Sequence, residues 1–295
     1  MSSPYSPGPY WGNREVYEYP PVEVLPPPRP LPRQRIWLHL LLFALTVVST
    51  ITVGGIFFSA ALLSILTAHE FGHYFAARQY EVPVSLPYFI PFPFSLFGTL
   101  GAVIRMSPRI PHRRALFDIA AAGPIAGLVL AIPFTYAGIV LSQIVRKDGL
   151  PGNFITLGEP LLFQVLGWLA HGNLGQDVDM LLHPVAFAGW AGMFVTALNL
   201  LPIGQLDGGH ITHALFGGRS RQVAFAMFGG LAAYSLIERN VTWLPLLILL
   251  LVIGIQHPPA FDDGLPLGRG RAIVGLLLGI VFVTCFSLVP IRLAP

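Results

Sequence analysis

Two histidines and a glutamate form the most chemically informative stretch of the sequence, His69-Glu70-Phe71-Gly72-His73. In an α-helix, positions i and i+4 lie on one face, so His69 and His73 can bind one metal ion together. Glu70 then lies beside that ion, where a carboxylate can act as a general base toward water. The alternative is a pair of histidines satisfied by neighbouring groups. The surrounding residues are apolar, and lipid tolerates such polar side chains only where they have a function, so we favour a metal site.

Asp207 is the candidate third ligand. A catalytic zinc usually has three protein ligands and one open position. Asp207 follows Pro202 and Gly204, which interrupt an apolar run, and a carboxylate at membrane depth needs a partner or a cation. Two alternatives remain open. Asp207 could cap a helix predicted over 209–216, and Asn199 could serve only to satisfy carbonyls freed by Pro202.

The composition indicates a membrane protein. Of the 295 residues, 54% are hydrophobic and only 11% are charged, and the mean hydropathy is +0.67. Soluble domains carry charge on about a quarter of their residues. The net charge of +3 is too small to indicate a nucleic-acid partner. A single cysteine, Cys285, excludes an intramolecular disulfide, and we interpret it as a packing residue.

Long apolar runs must position the candidate site. The run at 36–77 is long enough for two spans, joined by a turn at Thr52-Val53-Gly54-Gly55. We predict an all-α polytopic membrane protein with about seven transmembrane helices and an amphipathic stretch within 160–170. The spans are the two within 36–77 and those at about 115–145, 183–201, 222–236, 243–255 and 272–289.

A short β-hairpin is expected after the second span. Proline recurs every few residues in 82–94, which excludes a helix there, and 97–106 suits a strand. Apolar, non-helical backbone beside a membrane must pair with itself or line a cavity, so we predict a membrane-associated hairpin with a free edge. Such an edge can bind an extended peptide, and the alternative is a plain connector. The predicted peptide-binding residues are Gly98, Thr99, Leu100, Gly101, Ala102 and Val103.

The chain divides into a tail and one domain. Residues 1–35 are rich in proline and tyrosine and are predicted to be a disordered tail, and residues 36–295 form the domain, with an active-site core at about 56–216. Arginines at the end of the tail predict a cytoplasmic N-terminus, and Met1 is not followed by a cleavable signal pattern. We expect a multi-pass protein of a prokaryotic plasma membrane.

Three motifs together resemble the site-2 protease family of intramembrane zinc metalloproteases, peptidase family M50. They are His69-Glu70-x-x-His73, Gly123-Pro124-Ile125-Ala126-Gly127 and Asn199-x-x-Pro202-x-x-x-Leu206-Asp207-Gly208. The stretches 118–127, 190–210 and 257–259 look closest to the cyanobacterial and chloroplast branch of that family. The resemblance covers roughly 36–290 and leaves the tail outside.

The resemblance implies a role for each matching residue. His69, His73 and Asp207 would hold one Zn²⁺ per chain, and Glu70 would be the general base. Asn199 would orient the scissile carbonyl or help stabilise the oxyanion. The segment at 98–105 would receive an unwound substrate. The implied function is regulated intramembrane proteolysis of a transmembrane protein in the lipid bilayer, without nucleic acid.

Two other classes of function would use the same residues. A membrane metal-ion transporter could use the His69, His73 and Asp207 cluster as a transit site. The transporter hypothesis does not explain why Glu70 directly follows His69, nor why there is a single ligand cluster instead of a file of sites. A catalytically silent scaffold would bind transmembrane partners without cleaving them. His210, His213 and His257 lie at predicted span ends, where an imidazole is ordinary.

Overall fold

The described residues fold into a mostly helical protein with three small antiparallel sheets. This confirms a predominantly helical class, and one of the three sheets is the predicted hairpin. The computed structural model describes residues 34–147, 155–175, 177–239, 241–255 and 265–293. The helices are α1 Ile36–Gln79, α2 Arg113–Val140, α3 Leu161–His171, α4 Pro184–Asn199, α5 Asp207–Phe216, α6 Ser220–Ile237, α7 Leu244–Ile253 and α8 Arg269–Cys285. The strands are β1 Tyr88–Pro91, β2 Thr99–Val103, β3 Gln143–Arg146, β4 Ile155–Leu157, β5 Val178–Leu181 and β6 Ile291–Leu293.

Helix α1 is divided at Gly55 into two arms, residues 36–54 and 56–79. Gly55 has φ 80° and ψ 177°, a conformation that a residue with a Cβ rarely adopts. Thr50 Oγ1 lies 2.6 Å from Ser59 Oγ across this break. A straight helix would separate these two residues by about 13 Å, so the chain reverses at Gly55. The break falls inside the predicted turn.

Two of the described helices, α1 and α2, are long and apolar enough to cross a membrane. Helix α4 has 16 residues and α7 has 10, which is shorter than the ~20 residues that a span requires. The prediction of about seven transmembrane helices is therefore not confirmed. Residues 1–33 of the predicted tail, the loop at 257–259 and the connection at 148–154 lie outside the described residues, whereas Gln34, at the end of that tail, is hydrogen-bonded to Val84.

The predicted hairpin is present directly after α1. Strands β1 and β2 pair antiparallel, with Tyr88 opposite Val103 and Phe89 opposite Ala102, and the ribbon continues to a bridge between Val84 and Met106. Phe97, in the turn of the hairpin, packs its ring against three aromatic rings of α4 that lie on one face. These are the rings of Phe187, Trp190 and Phe194. The hairpin is thus fixed to both α1 and α4.

Helix α2 lies at the centre of the fold and packs against α1, α4 and α5. Small residues let these helices approach closely, as is common in membrane proteins. A Cβ at Gly138 would overlap the backbone of Ala186 in α4, and one at Gly192 would lie 2.9 Å from Ile65 Cγ2 in α1. Because α1 carries the His69 motif and α4 ends next to the Asp207 loop, this packing brings the two distant parts of the sequence together.

Candidate active site

His69, His73 and Asp207 converge on one point inside the protein. His73 Nε2 lies 3.2 Å from His69 Nε2, and Asp207 Oδ2 lies 3.3 Å from His73 Nε2 and 3.4 Å from His69 Nε2. Asp207 Oδ2 is buried and has no hydrogen-bond partner among the described residues. Ligands about 2.0–2.1 Å from a tetrahedral Zn²⁺ are separated by about 3.3 Å, so the donor set fits this ion.

The hydrogen bonding of His73 strengthens this fit. His73 Nδ1 donates to the carbonyl oxygen of Ile119 in α2 over 2.7 Å, which leaves Nε2 of the neutral ring as an electron-pair donor. Nε2 then faces the acceptor oxygen of Asp207 and the second imidazole nitrogen of His69. Electron-pair donors so close together repel one another unless a cation lies between them.

Two glycines in α2 make room for the imidazole rings. A Cβ at Gly123 would overlap the His73 ring, and one at Gly127 would lie 3.2 Å from His69 Nδ1. Gly72, between the histidines, approaches the carbonyl of Ala122 so closely that a Cβ would overlap its oxygen. The Gly-Pro-x-x-Gly motif therefore forms the surface on which both rings rest.

Asp207 is the first residue of α5, whose N-cap is Leu206 without a side-chain cap. The alternative that Asp207 caps a later helix is therefore wrong, because the helix begins at Asp207 itself. Close packing explains why the two residues after Asp207 are glycines. A Cβ at Gly208 would overlap the carbonyl oxygen of Leu200, and one at Gly209 would overlap that of Gly204. The first turn of α5 thus lies directly on the loop that follows α4.

Asn199 and Glu70 also lie at the cluster. Asn199 is the last residue of α4, and its Nδ2 lies 3.0 Å from His69 Nε2. Its amide is therefore directed toward the cluster rather than toward carbonyls freed by Pro202. Glu70 is buried, with 7% exposure, and its carboxylate is close enough to interact electrostatically with His73 and Asp207.

The predicted substrate segment lies in a different element. Thr99–Val103 is strand β2, and Gly98 precedes it with φ 72°. No hydrogen bond joins these residues to the His69, His73 and Asp207 side chains within the part of the chain that the structure describes. The structure thus brings together the five residues predicted for chemistry and leaves the hairpin as a neighbouring element.

Two contributors to the site were not predicted. The Ile119 carbonyl that holds His73 belongs to the backbone, which leaves no signal in the residue type. Arg113 donates from Nη2 to the Leu215 carbonyl over 3.0 Å and from Nε to that of Ala214, both at the C-terminal end of α5. A basic residue near a span end has many partners available, so its role follows only from the structure.

His213 and Cys285 do not belong to the group of potential metal ligands. The His213 ring lies 3.3 Å from Ser220 Oγ through Nδ1. Cys285 is fully buried in the core, as expected for a packing residue. His257 lies outside the described residues.

Comparison with known proteins identifies a family. Residues 57–237 match the model of Peptidase family M50. The chain is 34% identical over 245 residues to the probable zinc metalloprotease EGY1, chloroplastic, of Oryza sativa subsp. japonica, covering 78% of this chain and 40% of the relative. It is 34% identical over 236 residues to the Arabidopsis thaliana protein of the same name, covering 76% and 41%. It is 30% identical over 205 residues to the probable zinc metalloprotease EGY2, chloroplastic, of Oryza sativa subsp. indica, covering 66% and 36%.

The chain spans about two fifths of the length of these relatives. No solved structure matches it significantly. The relatives are named as chloroplastic, so the comparisons do not support the expected prokaryotic plasma membrane or the cytoplasmic N-terminus. The family match covers more than half of the chain and the full range that carries the converging histidines and aspartate. The chain belongs to peptidase family M50, the site-2 protease family, and its relatives are of the chloroplast type.

Proposed function

We propose that this protein is an intramembrane zinc metalloprotease that hydrolyses a peptide bond in or near a transmembrane segment of another membrane protein. The observation that carries the proposal is the convergence of three electron-pair donors, two imidazole nitrogens and Asp207 Oδ2, all within 4.8 Å of one another. A carboxylate oxygen buried there without a hydrogen bond needs a cation to offset the loss of its hydration. The names of the relatives add zinc and proteolysis to this geometry.

We assign His69, His73 and Asp207 as the ligands of one Zn²⁺ per chain. Three protein ligands leave one position open, which is the pattern of catalytic rather than structural zinc sites. When bound, zinc supplies Lewis acidity and lowers the pKa of water toward neutrality. The hydrogen bond from His73 to the Ile119 carbonyl fixes the ring so that Nε2 would be available to hold the ion.

The remaining chemistry belongs to Glu70 and Asn199. Glu70, which follows a ligand in the chain and is buried beside the cluster, takes a proton from the attacking water and returns it to the leaving amine. The Asn199 amide, which lies at the cluster, donates a hydrogen bond to the oxyanion that develops on the scissile carbonyl. Burial keeps bulk water away, so these interactions act in a medium of low dielectric.

We propose that the substrate binds as an extended strand along β2. The outer edge of the hairpin's first half is already occupied, because the Gln34 amide bonds both the Val84 carbonyl and the Leu86 N–H, and His39 Nδ1 donates to the Pro87 carbonyl. Strand β2 pairs only with β1 among the described residues. A helical substrate must unwind before attack, and the free edge of β2 offers its backbone replacement hydrogen bonds.

A metal-ion transporter is less well supported than a protease. A transport path needs a series of exchange sites, whereas the structure, over its described ranges, contains one group of three or more potential metal ligands. Zinc that remains bound through dialysis would distinguish a fixed site from a transit site. The same measurement gives the number of ions per chain.

Glu70→Gln provides the decisive test. The variant keeps a side chain of nearly the same shape, and Glu70 is not among the assigned ligands. We expect it to retain one zinc per chain and to lose cleavage of a membrane-protein substrate by a factor of about 10²–10⁴. Asp207→Ala is the matched control, and we expect it to lose the zinc itself. If Glu70→Gln cleaves normally with zinc bound, the base assignment is wrong, and if Asp207→Ala retains zinc, the site assignment is wrong.

A further inference from the structure

The side of α3 that is directed away from the protein carries a stripe of apolar residues. Phe163 and Leu166 are buried in the core, whereas Val165 is 52% exposed and Trp168 is 63% exposed. Leu161 and Leu169 are also exposed, and the spacing i, i+4, i+7, i+8 places all four on one side of the helix. A stripe of this kind is stable only where another apolar surface or lipid replaces water.

Helix α3 lies where three other helices begin or end. The His171 ring donates from Nε2 to the carbonyl of Ile139, in the last turn of α2, over 2.9 Å. Phe163 and Leu166 belong to one core cluster with Ala186 in the first turn of α4 and Cys285 at the end of α8. Helix α3 therefore lies at one level of the fold, the level at which α2 and α8 end and α4 begins.

That level is one membrane thickness from the histidine and aspartate cluster. His73 bonds the Ile119 carbonyl, and His171 bonds the Ile139 carbonyl of the same helix. At 1.5 Å per residue these two points on α2 lie about 30 Å apart, which equals the hydrocarbon thickness of a bilayer. Arginines lie in the last turn of α1 and at the start of α2, the helix ends nearest the cluster, and such residues are typical of a membrane boundary. We therefore place the cluster near one boundary and α3 near the other.

We propose that α3 is an interfacial helix whose apolar stripe lies in the bilayer boundary on the side opposite the candidate active site. The occupant of the stripe is lipid. With 11 residues the helix is too short to span a bilayer, and tryptophan is enriched at membrane interfaces. Val140 at the end of α2 and Val283 near the end of α8 are also exposed apolar residues at this level. The stripe on α3 therefore continues the apolar outer surface of its two neighbouring helices. The proposal does not depend on proteolysis.

Spin labels can test the position of this stripe in liposomes. Cys285 is buried and is the only cysteine, so a Cys285→Ala background accepts single labels. Labels at Val165→Cys and Trp168→Cys probe the stripe, Asp177→Cys is an exposed aqueous control on the loop before β5, and Leu276→Cys is an exposed apolar control within α8. We expect oxygen to collide with the two stripe labels more often than a water-soluble nickel complex does, with the opposite ratio at Asp177→Cys. The depth should be about 5–10 Å below the headgroups, shallower than at Leu276→Cys.

Two results would overturn the proposal. A ratio at Val165→Cys and Trp168→Cys like that of Asp177→Cys means that the stripe faces water. Low collision rates with both reagents mean that protein covers it, either a second copy or another segment of this chain. If a label disturbs folding, Trp168→Phe provides a second measurement, since its difference from the unchanged chain isolates the Trp168 fluorescence. We expect this fluorescence to be quenched by lipids that carry a nitroxide near the headgroup, and absence of quenching also contradicts the proposal.

Discussion

At the scale of residues, the candidate site depends on space as much as on ligands. The His73 ring lies against Gly123 so closely that no side chain fits between them, and the His69 ring lies against Gly127. The imidazoles can therefore converge only because α2 presents bare backbone at these two positions. The same holds for Gly208 and Gly209, which allow α5 to start on the loop after α4.

Gly123→Ala should weaken zinc binding without touching a ligand. The added methyl group displaces the His73 ring, and overpacking of this kind costs about 1–3 kcal/mol. We expect zinc affinity to fall about 5- to 150-fold, measured by competition with a chelator. Gly229→Ala is the matched control, because Gly229 also lies in a helix and nothing lies within 4 Å of an added Cβ. Equal zinc affinity in both variants would show that the ring has room to move.

Asn199→Ala should separate catalysis from metal binding. The Asn199 amide lies 3.0 Å from His69 Nε2, but it is an additional polar group beside the three assigned ligands. We expect bound zinc to be retained and kcat to fall by about 10²–10³, as when one oxyanion donor is removed. The measurement is single-turnover cleavage at saturating substrate together with zinc content. Loss of zinc from Asn199→Ala would instead make this residue part of the metal site.

At the scale of elements, α2 holds both helices that carry ligands. Its Ile119 carbonyl accepts the His73 hydrogen bond, and its Arg113 guanidinium bonds the last carbonyls of α5, the helix that begins at Asp207. These carbonyls lack partners within their own helix, and a cation at a helix C-terminus is favourable. Helix α2 therefore fixes the distance between imidazoles and carboxylate.

Arg113→Ala should loosen α5 and weaken the metal site from a distance. We expect a loss of zinc affinity of about tenfold, the lower end of what removal of an outer-shell partner costs. Arg114→Ala is the control, because the neighbouring Arg114 donates from Nε to the Pro266 carbonyl, in the segment before α8, over 2.8 Å. Zinc affinity should be unchanged in Arg114→Ala. A larger loss of zinc affinity in Arg114→Ala than in Arg113→Ala would refute the assignment of Arg113 as the residue that anchors α5.

At the scale of the whole molecule, α8 lies beyond the range that matches the family and is tied back to the core. Arg271 donates from Nε to Asp118 Oδ1 over 2.8 Å and from Nη2 to Asp118 Oδ2 over 2.7 Å, and Tyr80 donates to the same carboxylate. This pair joins α2 to α8, and Tyr80 at the end of α1 adds a third element. Asp118, Arg271 and Tyr80 thus link the ends of three helices near the candidate site.

A double-mutant cycle measures how much this link stabilises the protein. Asp118 and Arg271 are 28% and 33% exposed, so solvent weakens their interaction. We expect Asp118→Asn and Arg271→Gln to show a coupling free energy of unfolding of about 1 kcal/mol that declines as salt is added. Arg269→Gln in the same turn of α8, exposed to solvent, is the control and should show no coupling with Asp118→Asn. A coupling near zero at low salt would mean that apolar packing alone holds α8.

Local patterns in the sequence were sufficient for several features. The spacing of His69 and His73 places both on one helix face whatever surrounds them, and the prolines after Val82 exclude a helix where the hairpin forms. The break at Gly55 follows from glycine's tolerance of positive φ. Membrane crossing is less well determined, because the apolar helices after α2 are short and hydropathy alone does not assign their depth.

The sequence by itself therefore determined the two imidazoles, the adjacent carboxylate and the existence of apolar helices, because these depend on neighbours along the chain. Only the tertiary structure decided that Asp207 and Asn199 reach the same point, since they lie more than a hundred residues from His69 and depend on how α2 packs between α1, α4 and α5. The same is true of the Ile119 carbonyl and the Arg113 anchor. Backbone groups and long-range pairs leave no periodic trace in a sequence, so their positions follow from packing alone.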